Sequence, residues 1–204
     1  MAGPGRPPLD RAELDPIFDA VLQVVSGCSS RQATLRQIAT AAGVSIGKLQ
    51  HHFGSRDDLV REAFEHHLLA ITRRLEALRN TDGSATSRMA MLVDEIVENR
   101  SWQRSTLWID LLSRSIDSDE YRASVQQVYR AWTAVFRDLI QDGVQSGEFT
   151  VATSVEDGAA GIVAVADGLN VLVVAFGESQ IDSGRQRRRS VLAAAIKAAV
   201  GVQV

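Results

Sequence analysis

Residues 34–54 read TLRQIATAAGVSIGKLQHHFG, and this stretch decides the fold. Thr34 and Gln37 have the spacing of a capping box, in which each side chain satisfies a backbone amide at the start of a helix. Gly43 can adopt the positive φ that ends a helix, and Ser45 can cap the next helix at once. The pattern therefore predicts two short helices joined by a tight turn, which is a helix-turn-helix.

The two predicted helices separate apolar from polar side chains. Apolar residues recur at helical spacing on the faces that would pack together, namely Leu35, Ile38, Ala39, Val44, Leu49 and Phe53. Four residues of the second helix are left facing outward: Ile46, Lys48, Gln50 and His51. Because the second helix of a helix-turn-helix enters the DNA major groove, these outward side chains are candidates for reading DNA.

The charge distribution supports this interpretation more than the total charge does. The chain has a formal net charge of −3, whereas DNA-binding domains are usually basic. However, no Asp or Glu occurs between Asp19 and Asp57, and the basic residues of that window are Arg31, Arg36, Lys48 and Arg56. We therefore expect a locally basic surface on an otherwise acidic protein.

Helical periodicity continues on both sides of this stretch, and strand patterns are nearly absent. Asp15-Pro16 predicts the start of a first helix that ends near Gly27. Ser55 and Asp58 predict the start of a long fourth helix, and five more helices follow a polar loop at residues 80–87. The expected fold class is all-α with about nine helices: an N-terminal three-helix helix-turn-helix domain followed by a larger helical domain.

Composition excludes several other classes. With 204 residues, 45% of them hydrophobic, the chain can bury a core without metals or disulfides, and its single cysteine, Cys28, fits a cytoplasmic location. No signal peptide is visible. The most apolar stretch, residues 159–176, contains Asp167 and Asn170 and is interpreted as a buried helix, so no membrane partner is expected.

The sequence gives no support for an enzyme. It contains neither a nucleophile motif nor a glycine-rich phosphate loop, and no cofactor is expected. The pairs His51-His52 and His66-His67 suggest metal ligands, but adjacent residues on a helix point about 100° apart. No carboxylate or cysteine completes a ligand set, so we expect no metal site.

Residues 34–60, TLRQIATAAGVSIGKLQHHFGSRDDLV, resemble the signature of the TetR family of transcription regulators. The resemblance covers roughly the first 65 residues. It departs from the family pattern at Gln50, where an aromatic residue is usual, and in the loop Gly27-Cys28-Ser29-Ser30, where the family prefers a glycine-aromatic pair. The resemblance implies a homodimeric repressor that binds a palindromic operator and is released by a small-molecule effector.

The resemblance also implies a set of DNA-binding residues. These are Thr34, Arg36, Ser45, Ile46, Lys48, Gln50, His51, His52 and Arg56. By position, Ser45, Ile46 and Lys48 would reach base edges or the backbone beside them, and most of the others would meet phosphates. Alternatives stay open: His52 packing near Phe53, a solvated Arg36, and Gly5-Arg6-Pro7-Pro8 as either a minor-groove arm or a segment without structure.

The family architecture implies a flexible arm at residues 1–12, a DNA-binding domain at 13–60 and a ligand-binding and dimerisation domain at 61–204. Small residues on the last two helices support close helix approach between two copies; a pair of helices within one chain is the alternative. The predicted dimer residues are Gly161, Ala164, Gly168, Leu192, Ala195, Ile196 and Ala199.

The C-terminal part is loosely similar to the class of choline-pathway repressors, which implies a ligand pocket among helices 5 to 8. The predicted lining is Trp102, Trp108, Leu111, Tyr129, Trp132, Phe136 and Asn170. Asp167 and Asn170 need polar partners, which could be a ligand, a second subunit or a cap. The basic run at residues 185–189 is a second nucleic-acid site or, more simply, a helix start with ion pairs to acids such as Glu178. The alternative function is a DNA-binding protein of the same fold without a small ligand, for example in chromosome organisation.

Overall fold

The computed structural model describes residues 11–27, 30–98, 101–177 and 181–201. Within these residues the chain forms nine α-helices and no strand, which confirms the all-α prediction. The helices are α1 (Arg11–Gly27), α2 (Leu35–Ala42), α3 (Ile46–Phe53), α4 (Arg56–Arg79), α5 (Ala85–Glu98), α6 (Ser101–Arg114), α7 (Asp119–Gln145), α8 (Val155–Phe176) and α9 (Ile181–Val200).

The chain divides into two compact units, residues 1–67 and 68–204, and the division falls within α4. The first unit therefore contains more of α4 than the predicted range of 13–60. Most of the predicted arm at residues 1–12, including Gly5-Arg6-Pro7-Pro8, lies outside the described residues, as does Cys28.

The first unit is held together by an apolar core around α2. α1 packs on α2, and α2 packs on α3. Ile17, Ile38 and Leu49 are almost completely buried. The Phe18 ring lies 5.9 Å from the Phe53 ring, and this contact ties α1 to the end of α3. The helix-turn-helix is thus fixed on a third helix, as its apolar pattern requires.

The prediction for the start of α1 was wrong. The helix begins at Arg11, so Pro16 lies inside it and not at its first position. A proline within a helix has no amide to donate to the carbonyl one turn earlier, so α1 lacks one backbone hydrogen bond there.

In the second unit, α8 packs against α6, α7 and α9, and α5 packs against α7 and α9. Its apolar core includes Met89, Leu92, Leu111, Phe136 and Leu139, all fully buried. Among the described residues, α8 is also long and apolar enough to cross a membrane by length and composition. Ile162, Val163 and Ala166 on one side of α8 are buried within this unit, and 39% of its apolar window is buried in all.

A glycine near the end of α7 allows an unusually close approach. A Cβ atom placed on Gly143 would lie 2.1 Å from Cδ2 of Phe149. The Phe149 ring is itself buried, and the amide N–H of Phe149 donates to the Gly143 carbonyl over 3.0 Å. The turn after α7 therefore folds back on the helix, and only glycine leaves space for it.

α5 begins three residues earlier than a loop at residues 80–87 would allow, and a distant carboxylate explains the difference. Glu148 accepts hydrogen bonds from the backbone amides of Ala85 (2.9 Å) and Thr86 (3.0 Å). These amides have no partner within the helix, so the carboxylate caps it. The two backbone hydrogen bonds hold the pKa of Glu148 at about 2, well below its ordinary value.

We expect Glu148→Gln to reduce stability at neutral pH and to make stability less sensitive to acid. A pKa depressed in the folded state favours folding above the ordinary glutamate pKa, and this contribution is lost as pH falls from about 4.5 towards 2. Urea unfolding at pH 7, 5 and 3 measures the effect. Glu76→Gln, on the exposed side of α4, is the control. Parallel pH curves for Glu148→Gln and the wild type would contradict the capping role.

Candidate DNA interface and ligand cavity

The helix-turn-helix has the local geometry that its sequence predicts. Thr34 Oγ1 accepts from the Gln37 amide at 3.3 Å, and Gln37 Oε1 accepts from the Thr34 amide at 2.9 Å, which completes the capping box. Gly43 has a φ of 65° and ends α2. Ser45 Oγ then accepts from the Lys48 amide at 3.1 Å and caps α3.

The exposed face of α3 carries the polar side chains that the sequence places there. Ser45, Gln50 and His51 are exposed, whereas Leu49 and Phe53 are buried. Ile46, Lys48 and His52 are partly exposed. The rings of His51 and His52 meet edge to face, 5.1 Å apart, so His52 has a polar neighbour as well as Phe53. On α2 and its cap, Thr34 and Arg36 are exposed. Contact of each residue with DNA stays a prediction.

Lys48 forms an ion pair with an acid that lies outside the acid-free segment between Asp19 and Asp57. Its ammonium Nζ lies 3.0 Å from Oε1 of Glu13, in the first turn of α1. The exposed fractions of the two side chains are 24% for Lys48 and 48% for Glu13. The segment between Asp19 and Asp57 has no acid in sequence, yet the fold places a carboxylate against the lysine of its second helix.

Arg56 is engaged with the protein itself. Its guanidinium donates to the carbonyls of Ser30 (2.7 Å) and Ala33 (3.0 Å) and also pairs with Asp57. The loop between α1 and α2 is thereby fixed to the first turn of α4. A phosphate would have to compete with these contacts, so the geometry gives Arg56 a role in positioning the helix-turn-helix.

In the second unit, a cavity that opens partly to solvent lies among α4, α6, α7 and α8, with about 300 Å³ of empty space when the open solvent at its mouth is included. It is lined by Leu68, Arg104, Trp108, Val128, Tyr129, Trp132, Val163, Asp167 and Asn170. Four of the seven residues predicted for the lining are among them: Trp108, Tyr129, Trp132 and Asn170. Trp102, Leu111 and Phe136 are not, because Leu111 and Phe136 are fully buried in the core and Trp102 is half-buried elsewhere.

Two charged residues of the cavity wall differ in how their charge is balanced. Burial raises the pKa of the Asp167 carboxyl to about 6, and the nearby Trp108 indole N–H opposes this shift. Burial lowers the pKa of Arg104 to about 10, and the carboxylate of Glu95 opposes that shift. Arg104 also donates to the Ile96 carbonyl at 2.5 Å. Both residues line the cavity. A carboxylate and a carbonyl of the protein face the Arg104 guanidinium, whereas no basic side chain is among the causes of the Asp167 shift.

Two further polar groups of the wall are the amide of Asn170 and the indole of Trp132. Asn170 Oδ1 accepts from the Ser105 hydroxyl at 2.9 Å, so a side chain on α6 supplies the polar partner that the sequence requires for Asn170. The indole N–H of Trp132 is buried and has no acceptor within the part of the chain that the structure describes. A buried donor without a partner favours a ligand that brings an acceptor.

The residues predicted for a dimer interface fall into two groups. Gly161, Ala164 and Gly168 are exposed on one side of α8, and Ala195 and Ala199 are partly exposed on α9. Leu192 and Ile196 are completely buried within the chain and have no surface for a partner. Sequence reasoning missed the large apolar residues that continue the exposed side of α8, Val171, Leu172 and Phe176, because their spacing alone also fits a core helix.

The basic run at residues 185–189 is partly used within the fold. Arg189 forms an ion pair with Asp94 of α5, and Arg188 is buried. Arg185 and Arg187 are exposed. The ion-pair interpretation therefore has structural support with Asp94 as the acid, while Glu178 lies outside the described residues. No group of three or more potential metal ligands occurs among the residues that the structure describes.

A capped helix-turn-helix followed by a helical unit with a cavity is the arrangement that the sequence predicts for a DNA-binding regulator of transcription. Sequence comparison agrees. The sequence model for bacterial regulatory proteins of the tetR family matches residues 30–63, and the model for the C-terminal part of BetI-type transcriptional repressors matches residues 85–201. The chain belongs to the TetR family, in its BetI-type group.

Several curated regulators are similar to this chain. The HTH-type transcriptional regulator BetI of Brucella suis is 28% identical over 120 residues, which cover 58% of this chain and 59% of that protein. The fatty acid metabolism regulator protein of Bacillus subtilis is 20% identical over 65% of this chain and 68% of its own length. The transcriptional repressor KstR2 of Mycolicibacterium smegmatis is 24% identical over 72% of each chain.

Solved structures confirm the fold. A TetR transcription regulator from Haloarcula marismortui superimposes with a TM-score of 0.81 at 16% identity, over 94% of this chain and all of that one. A putative transcriptional regulator from Saccharomonospora viridis in complex with choline gives 0.74 at 20% identity, over 89% and 95%. FadR of Bacillus subtilis in complex with stearoyl-CoA gives 0.70 at 18% identity, over 87% and 96%.

Proposed function

We propose that this protein is a homodimeric, cytoplasmic repressor that binds a palindromic operator and leaves it when a small effector enters the cavity of the second unit. The observation that carries the proposal is the capped helix-turn-helix with an exposed polar face on α3, in a chain of the TetR family. In such proteins two recognition helices meet half-sites about 34 Å, one turn of DNA, apart.

Duplexes selected from a random library by the purified protein test DNA recognition directly. We expect an inverted repeat, bound with an affinity that falls steeply as salt rises. Selection of no sequence motif, together with salt-insensitive binding, would remove the basis for a repressor. Many dispersed sites without promoter association would instead favour a chromosome-organising role.

The exposed side of α8 supports a dimer through this helix. Gly161, Ala164 and Gly168 recur at helical spacing and are followed by Val171 and Leu172, which are 51% and 47% exposed. Small residues let two helices approach closely, and exposed large apolar residues gain from being covered. We therefore place the dimer contact on α8, with Ala195 and Ala199 of α9 beside it, and leave Leu192 and Ile196 out of it.

The cavity favours a small cationic effector. Trp108, Tyr129 and Trp132 provide aromatic rings, which attract cations, and Asp167 provides a charge that no described basic side chain neutralises. Its carboxyl is still mostly ionised at neutral pH. The choline complex of the Saccharomonospora viridis protein supports the same class of ligand.

α4 is the element through which an effector would act on DNA binding. Leu68 in the cavity wall belongs to α4, and Arg56 at the start of the same helix holds the loop before α2. An effector lowers operator affinity only if it binds better to the state that does not fit DNA. A displacement of α4 is the simplest change that would affect both the cavity wall at Leu68 and the helix-turn-helix loop that Arg56 holds.

We expect Asp167→Asn to abolish the response to a cationic effector while DNA binding survives. Choline chloride is the probe, since choline is a small molecule with a fixed positive charge. It should raise the melting temperature of the wild type and weaken its operator binding, and the variant should lose at least about tenfold in choline affinity. Glu156→Gln, exposed on the same helix, is the control. Equal choline binding by Asp167→Asn and the wild type would exclude Asp167 from the site.

A further inference from the structure

We propose that Glu13 is a specificity-determining residue: its carboxylate holds Lys48 of the recognition helix and keeps that lysine from binding phosphate on non-operator DNA. The inference rests on the proposed function, because it concerns how the same helix-turn-helix discriminates between duplexes. Glu13 would then set the ratio of operator affinity to background affinity, although it touches no base itself.

The geometry of the pair carries this proposal. Lys48 Nζ lies 3.0 Å from Glu13 Oε1 and donates a charge-assisted hydrogen bond to it. The two residues are 35 positions apart in sequence, on α3 and α1. Lys48 follows the N-cap Ser45 by three positions, so it lies in the first turn of α3, the part of a recognition helix that reaches base edges. The Glu13 carboxylate thus pairs with Lys48 in the part of α3 that would contact the DNA bases.

Lys48 is one of few cations on this face. α2 and α3 together contain only two residues with a permanent positive charge, Arg36 and Lys48. Arg56, the next one along the chain, is bound to carbonyls of Ser30 and Ala33. Affinity for random DNA depends on the number of phosphates that basic side chains neutralise. Holding Lys48 in an internal ion pair therefore removes a large share of the charge available for such binding.

The effect differs between operator and random DNA. On an operator, Lys48 exchanges the carboxylate for a base acceptor, and the new hydrogen bond offsets the loss of the pair. On random DNA no base acceptor is in register with Lys48, so the lysine gains at most a phosphate contact. The unpaired Glu13 carboxylate then lies near a negatively charged backbone on either duplex, but only the operator offsets this cost. The Glu13–Lys48 pair therefore opposes non-specific binding more than specific binding, because the Glu13 carboxylate competes with DNA phosphates for Lys48.

The test compares Glu13→Gln with the wild type on two duplexes, the one selected from the random library and a scrambled sequence of equal length. Fluorescence anisotropy is recorded over a series of salt concentrations. We expect about a 3- to 10-fold gain in affinity for the scrambled duplex and little change for the selected one. The slope of log affinity against log salt should become steeper by about 0.9 on the scrambled duplex alone, as for one additional phosphate contact.

Two variants separate the ion pair from a general change of charge. Asp19→Asn removes the same charge from an exposed position of α1 and should leave the ratio of the two affinities unchanged. On a Lys48→Met background, Glu13→Gln should do no more than Asp19→Asn. Equal effects of Glu13→Gln and Asp19→Asn, or weaker binding of Glu13→Gln to both duplexes, would overturn the proposal. A wild type that binds neither duplex would instead refute the proposed function.

Discussion

Replacing Gly143 with alanine is expected to destabilise the second unit by about 2–4 kcal/mol, a large part of the stability of an ordinary domain. The new methyl group would lie 2.1, 2.5 and 2.6 Å from three atoms of the Phe149 ring. Because this ring is only 3% exposed, it cannot move aside without leaving its buried site. Alanine normally stabilises a helix relative to glycine, so the expected sign is opposite to that of helix propensity. Thermal and urea unfolding, followed by circular dichroism, measure the loss.

Two further variants show whether the Phe149 ring is the cause. Gly47→Ala, in the first turn of α3, places a methyl group no closer than 4.0 Å to its nearest neighbour and should be neutral or slightly stabilising. Phe149→Ala is destabilising by itself, but adding Gly143→Ala to it should cost almost nothing. Strict additivity of the two changes would contradict a direct clash between them.

Placing an arginine at Leu172 is expected to separate the subunits and to reduce operator affinity by at least about 100-fold. In a twofold dimer each copy would bury one unpaired guanidinium at the contact, and each such burial costs several kcal/mol. A monomer can bind only one half-site. It therefore loses the increase in operator affinity that a dimer obtains by binding two linked half-sites at once. Light scattering after size-exclusion chromatography reports the subunit number, and anisotropy with the selected duplex reports the affinity.

Ile116→Arg is the matched control for this change. Ile116 is 75% exposed, beyond the end of α6, so the same apolar-to-charged substitution should leave the molecular mass and DNA binding unaltered. A Leu172→Arg protein that remains dimeric and retains operator binding would exclude α8 from the contact. A monomeric wild type with strong operator binding would exclude the dimer altogether.

The parts of the fold that sequence predicts are those determined over a few residues. Thr34, Gln37, Gly43 and Ser45 act within three or four positions of their partners, and the helix-turn-helix follows from them alone. Pro16 misled the prediction for α1, because a proline near a helix start and one inside the helix give the same short-range pattern.

Features made by distant residues were not predictable in this way. The Glu13–Lys48 pair and the cap that Glu148 supplies to α5 join residues 35 and 63 positions apart, and nothing in the local sequence marks either of them. The cavity was predicted by residue type: Trp108 and Trp132 line it, but Phe136 has the same character and lies in the core. Which side of a helix faces an empty volume depends on the packing of several helices, and periodicity does not contain that information.

The long distance between α5 and its cap has a consequence for the order of events during synthesis. Ala85 leaves the ribosome 63 residues before Glu148, so the first turn of α5 is made long before the acid that completes it exists. At an elongation rate of about 5–20 residues per second, this delay lasts for several seconds. During that time the first turn of α5 has no cap, and a chain that stops before Glu148 never acquires one.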